Sequence, residues 1–428
     1  MSESFLHYIW QFQYFNKGNL LTTEGESVEI FNQGMLNKHA GPDFFNARIK
    51  IDQMEWVGNV EIHINASSWL DHHHDRDDAY ENVILHIVWK NDKPVRRKDG
   101  SLLPTLELKN RVSEELILKY TKLINSPEAI PCSARFNSVN DLVKVSMLDK
   151  SLLQRLESKA LIVTQILNAN NLDWEETCYQ LLARNFGFKV NADPFFQLAK
   201  SVPYKVLLKH ADKLLQVEAI LFGQAGFLDG EQSDEYYRLL QREYSILSNK
   251  FTLLDKKINR SQWRFLRLRP SNFPTIRLAQ LSALLAEKKN IFSTIKEAAT
   301  YQDLKKVFGV KQSYYWQHHF QFLKESKEMI SGLGDMSIEN IIINTVCPLL
   351  VAYGKAKDEQ EWIDKAVSIL QQIPAESNSI VKKWTSLDQS AKTAFDSQAL
   401  IELYNNLCLK KRCLDCNIGV SILNPVQA

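Results

Sequence analysis

A chain of 428 residues is too long for one ordinary hydrophobic core, so two or three domains are expected. Hydrophobic residues at 45% and charged residues at 24% match a globular protein, and the low counts of 15 Gly and 12 Pro argue against a loop-rich all-β fold and for much helix. A net charge of +2 excludes a uniformly basic chain, so nucleic-acid binding would need a local basic face.

The opening segment Met1 to Trp10 has neither the basic nor the apolar region of a signal peptide. No run approaches the roughly 20 apolar residues of a membrane span. Six cysteines do not make a disulfide scaffold, and a reducing cytoplasm is the expected location. Up to about residue 112 the pattern favours strands. Ala47, Ile49 and Ile51 alternate, Asp52-Gln53 offers a turn, and Trp56 to Ile64 reads as a second strand. On it Val60, Ile62 and Ile64 face one side, leaving Glu61 and His63 together on the other. Val83 to Trp89 is apolar on both faces, as a central strand should be. Lys98-Asp99-Gly100 is a turn, with a further strand expected over Leu102 to Leu108. Beyond Pro127 and Pro131 the periodicity becomes helical, with a first stripe through Leu148, Leu152, Leu156, Ala160, Val163 and Leu167. Later stripes include 195–222 and 316–331, without a fixed repeat. The expected organisation is an α/β domain over 1–130 and a mostly α-helical region over 131–428.

Gly41-Pro42-Asp43 is followed, 18 residues after Asp43, by Glu61-Ile62-His63. This arrangement resembles the core signature of the PD-(D/E)xK nuclease superfamily, over roughly residues 20–112. The resemblance implies a restriction-endonuclease-like mixed sheet, with Asp43 as the first acid, Glu61 as the second and His63 where the family usually places lysine. Glu26, or Glu24, would stand for the upstream glutamate of some members. Two converging carboxylates can hold Mg²⁺ or Mn²⁺ through oxygen, which activates a water and neutralises charge on a phosphate. Histidine at position 63 suits a base or a metal ligand better than a point charge.

Seven of the ten histidines lie before residue 87. His72, His73 and His74 sit in a polar run, Trp69 to Tyr80, that reads as a site rim or as a solvated loop. On a helix His74 and Asp78 would be one turn apart and able to share a metal or a phosphate. His86, inside the apolar strand, reads as a core histidine beside the site.

Cys408-x₄-Cys413-x₂-Cys416 has spacings able to wrap Zn²⁺ or an iron–sulfur cluster, with Cys132 as the fourth thiolate. This is similar to the four-cysteine staple of some PD-(D/E)xK nucleases, although there the lone cysteine precedes the nuclease motifs. The blander alternative is unliganded thiols. Between Trp263 and Arg277, four arginines (Arg264, Arg267, Arg269 and Arg277) interleave with aromatics, a pattern suited to DNA or RNA but read first as a helix-linking loop whose arginines cap carbonyls.

Gly41 to Phe44, Gly58 to His63, Ala79 to Trp89 and Cys413 to Gly419 also resemble an uncharacterised bacterial family known only as a domain of unknown function. That resemblance implies one architecture over nearly the whole chain and supplies no activity. The expected function is a metal-dependent nuclease or a nuclease-derived nucleic-acid-binding protein. The alternatives are a non-catalytic scaffold with a structural metal and a histidine-liganded metallohydrolase.

Overall fold

Helix α1 (Glu3–Phe12) begins where the Phe5 amide donates to the Ser2 hydroxyl at 3.3 Å, and it buries Phe5, Leu6, Ile9 and Trp10. In the computed structural model, which describes residues 1–424, this helix is followed by one mixed sheet. Its strands are β1 (Val28–Asn32), β2 (Met35–Leu36), β3 (Phe44–Ile51), β4 (Met54–Asn65), β5 (Val83–Lys90) and β6 (Thr105–Glu107). They lie in the order β1-β3-β4-β5-β6, with β2 also pairing β3. The β1–β3 and β3–β4 pairs are antiparallel, whereas β4–β5 and β5–β6 are parallel.

The local reasons are legible. Asp52 adopts φ 51° in the two-residue link between β3 and β4, and its carboxylate accepts from the Ser27 amide at 2.7 Å. Gly58 stands where β4 approaches β5. A Cβ there would meet Ile84 Cγ2 at 2.5 Å and the Asn82 carbonyl at 2.7 Å. Strand β5, flanked by parallel neighbours, is buried on both faces over its first six residues. The β4–β5 crossover contains two short helical turns, α2 (Ser68–Asp71) and a 3-10 turn over Asp78–Tyr80.

Two units make up the chain. The first comprises Met1–Met147, Ser386–Asp388 and the chain from Leu403 onward; the second comprises Leu148–Thr385 and Gln389–Glu402. The second unit is dominated by α-helices. An N-terminal mixed sheet is thus followed by an extended helical region. The stripe from Leu148 to Leu167 is buried along a 29-residue helix, Asp141–Ala169.

Elsewhere the helical stripes are shorter than periodicity suggests. Residues 195–222 divide among Ala192–Ser201, Tyr204–Leu208 and Leu214–Gln224; the first break falls at Pro203, which lacks an N–H and disfavours helix before it. The 316–331 stripe turns out to be the end of helix Tyr314–His318 and a hairpin of His319–Gln321 with Lys324–Glu325, linked through Leu323 at φ 62°. One helical run, Asp335–Lys357, is long and apolar enough to cross a membrane by length and composition, contrary to the expectation that none exists. Of its apolar window 67% is buried inside the structure, as in the core helix of a folded unit.

Candidate metal centre

Strand alternation places Glu61 and His63 on one face of β4, and the β4–β5 register sets His86 opposite Glu61. All three are buried, His63 to 1% exposure and His86 to 0%. The remaining histidines arrive through the end of α2. The His73 amide donates to the Leu70 carbonyl at 3.0 Å and the His74 amide to the Trp69 carbonyl at 3.1 Å. His73 itself takes the left-handed conformation, φ 61°. This is a Schellman closure with histidine in the place glycine usually fills. It ends the helix at once and returns His72 and His74 to the sheet, where both meet His63.

The ligand atoms of His63, His72 and His74 all lie within 4.8 Å of one another. His63 Nε2 is 3.2 Å from His72 Nδ1, and Glu61 Oε1 is 3.4 Å from His74 Nε2 and 3.7 Å from His63 Nε2. Ligands at metal–nitrogen distances of about 2.0–2.1 Å in a tetrahedron stand roughly 3.3 Å apart. The His63–His72 separation matches that spacing, and the other ligand atoms of the group lie within 4.8 Å.

His63 Nδ1 lies 2.9 Å from His86 Nε2. With Nε2 kept as a lone pair toward the cluster, Nδ1–H donates to His86, which fixes the ring and its tautomer. His74 stacks on Tyr80, ring centres 3.7 Å apart, and meets the edge of Trp69 at 5.4 Å. Burial, aided by the neighbouring rings of His86, His74, His72 and His7, pushes His63 down to about 2, and burial pushes His86 down to about 3. Both rings are neutral, the form that ligates metal. Burial raises Glu61 above the usual carboxyl range, a shift increased by the charge of Asp43 and opposed by the hydrogen bond with His74.

Asp43 has a different task. Its Oδ2 accepts from the Ile62 amide at 3.0 Å, while its own amide donates to Glu61 Oε2 at 3.1 Å. One oxygen of each acid is thus committed to holding β3 against β4. What faces the cluster is one carboxylate oxygen among imidazole nitrogens. The expected oxygen-rich Mg²⁺ or Mn²⁺ site on Asp43 and Glu61 is corrected to a histidine site, because hard cations demand several oxygens that this arrangement does not offer.

The cysteine expectation is corrected as well. Cys132, Cys408, Cys413 and Cys416 all belong to the first unit and are buried, with no disulfide between them. Yet among the described residues only His63, His72 and His74 form a group of three or more His, Cys, Asp or Glu within ligand-sharing distance. No zinc or iron–sulfur cluster is held there. Burial, with a contribution from neighbouring sulfurs, raises Cys132 and Cys413 to about 12, so these groups stand as thiols.

Of the other expected site residues, Glu26 accepts from the Thr22 hydroxyl at 3.1 Å in the turn before β1, without reaching the centre. Asp78 is exposed and pairs with Lys98 at 2.6 Å, because the turn at His73 removes it from any helix shared with His74. Arg264, Arg267 and Arg269 are exposed, whereas Arg277 is buried at 6% exposure. The pocket beside His74 and Tyr80, about 250 Å³, is lined by Arg97 and Lys98 but also by Asp77, Glu81 and Asp99. Its charge is mixed rather than basic, and it offers phosphate no excess of cations.

His7 on α1 is the site residue that motif reading passes over. Its Nε2 is 3.1 Å from Asp43 Oδ2, without hydrogen-bond alignment. Only the crowding of histidines in this part of the sequence signalled it.

The chain belongs to a family described as Protein of unknown function (DUF2851), whose model matches residues 3–379. Among curated proteins and among solved structures nothing matches it.

Proposed function

We propose that this member of the DUF2851 family is a transition-metal-binding protein whose ion sits among His63, His72 and His74. The observation that carries this reading is the convergence of their three ligand atoms within 4.8 Å. Imidazole suits zinc, copper, iron and nickel, and a set of three neutral histidines is one that zinc takes in open sites. An ion there would join β4 to the turn after α2, and its first consequence would be to hold the site's rim against the sheet.

A hydrolytic role is the second reading, and Glu61 favours it. Three protein ligands would leave a bound zinc ion an open position for water, and Glu61 Oε1, 3.4 Å from His74 Nε2, would be the base beside it. Phosphodiester cleavage is the form that the nuclease resemblance implies. The sequence of an antiparallel pair, a crossover and a parallel strand supports a nuclease-like core for the same reading.

The test is metal analysis of full-length protein, stripped with chelator and then offered zinc. One equivalent should bind, raise the melting temperature and be lost in His72→Ala and His74→Ala, neither of which removes a fully buried side chain. Failure of wild type to bind zinc at micromolar free concentration, or undiminished binding by the double variant, overturns the metal site. For hydrolysis, the zinc-loaded protein should cleave bis(4-nitrophenyl) phosphate, and Glu61→Gln should keep zinc while losing the cleavage. Zinc binding with no cleavage by wild type removes the second reading alone.

A further inference from the structure

Helix Pro274–Glu287 in the second unit is buried almost along its length, and Arg277 is buried with it at 6% exposure. Every partner of its guanidinium is neutral. Nη1 donates to Gln280 Oε1 at 3.0 Å, and Nη2 donates to Asn272 Oδ1 at 2.6 Å and to Ser337 Oγ at 3.0 Å. The plane lies over the Phe188 ring, 4.5 Å from its centre. Nε is buried without a partner. Among the described residues no carboxylate lies within ion-pair distance of this group.

A buried cation held only by amides, a hydroxyl and a ring is costly unless an opposite charge joins it. Burial brings Arg277 down to about 10, which still leaves it charged at neutral pH. The side chain lines a cavity of about 1020 Å³ whose walls include Phe186, Phe195 and Phe320. Two acids also border it, and both are exposed; Asp335 is already paired with Lys305 at 3.0 Å, and Glu328 lies on the rim. The cavity also takes in Asn272 and Pro274, at the start of the helix, where no side chain caps the first amides.

We propose that this cavity binds a small molecule with an oxyanion, phosphate or carboxylate, on an aromatic or apolar body, the anion pairing with Arg277. The guanidinium's planar fork matches either oxyanion, the ring walls take the body, and Phe188 and Gln280 hold the fork in place. This inference is independent of the histidine site.

Titration calorimetry of the full chain with phenyl phosphate, benzoate and inorganic phosphate tests it. Phenyl phosphate or benzoate should bind, and more tightly than inorganic phosphate; whichever is tighter identifies the oxyanion. Arg277→Gln, which keeps hydrogen bonding without charge, should weaken binding roughly 10- to 100-fold. Should that variant fail to fold, hydrogen exchange on wild type decides instead: phenyl phosphate or benzoate should slow exchange across 272–280 and 329–340. No binding of any probe at millimolar concentration, equal binding by Arg277→Gln, or protection only elsewhere overturns the proposal.

Discussion

Glu218 illustrates how far a single buried group can bias this protein. It is fully buried in the helical unit, one oxygen accepting from the Tyr236 hydroxyl and the other without a partner. Burial, opposed by hydrogen bonds from Tyr236 and Ser313, raises its carboxyl to about 7. An acid raised on folding adds stability that is fully present below its unfolded value and is lost as pH rises through the folded one. Between pH 5.5 and 8, wild type should therefore lose about 2 kcal/mol that Glu218→Gln keeps. Urea melts at the two pH values measure this. Equal losses in both proteins would mean the carboxyl is ionised throughout. At this scale the sequence was informative where period 2 governed: the alternation that put Glu61 and His63 on one face is the one observed. It was uninformative about protonation and about where His7 would sit, since a residue on α1 meets Asp43 only through the tertiary fold.

The turn that ends α2 is the element on which the proposed metal site depends. A run of three histidines does not announce which ones converge, and extending a helix through it pairs His74 with Asp78. The chain instead stops the helix by putting His73 at φ 61°, so His72 and His74 return to His63 while His73 is exposed. Left-handed backbone costs a non-glycine residue about 1–2 kcal/mol, of which glycine's greater freedom in the unfolded chain gives part back. His73→Gly should thus raise stability by about 0.5–1 kcal/mol and leave zinc affinity unchanged, in contrast to His72→Ala. Paired thermal melts and zinc titrations check this. Loss of zinc affinity in His73→Gly would place the wrong histidines in the site. Strand pairing and helix class followed from apolar periodicity, as the buried stripe from Leu148 to Leu167 shows. Helix ends did not, because Pro203 and the hairpin after His318 interrupt stripes that hydrophobic spacing alone would continue.

At the scale of the whole chain, the segment from Leu403 belongs with the N-terminal sheet rather than with the helices that precede it in sequence. A return of the C-terminus was expected from the cysteines, with a metal as its cause. The structure joins these segments by other means. Asn424 Oδ1 accepts from the Tyr14 hydroxyl at 2.7 Å, and the Asn417 amide donates to Met147 Sδ at 3.3 Å. Helix Asn417–Leu423 buries Ile418 and Leu423, the latter completely. Apolar patterning does not encode such a return, since each short apolar run is equally able to cover either unit. If the segment is part of the first unit's core, removing one of its buried side chains should loosen the sheet and not only the last helix. Leu423→Ala should cost about 2–5 kcal/mol and speed amide exchange across β3, β4 and β5 as one cooperative group. Faster exchange confined to Asn417–Leu423 would instead make the segment an appendage. Zinc offers a second readout on the same variant: with three ligands on β4 and the following turn, a loosened sheet should bind the ion more weakly although no ligand has been touched.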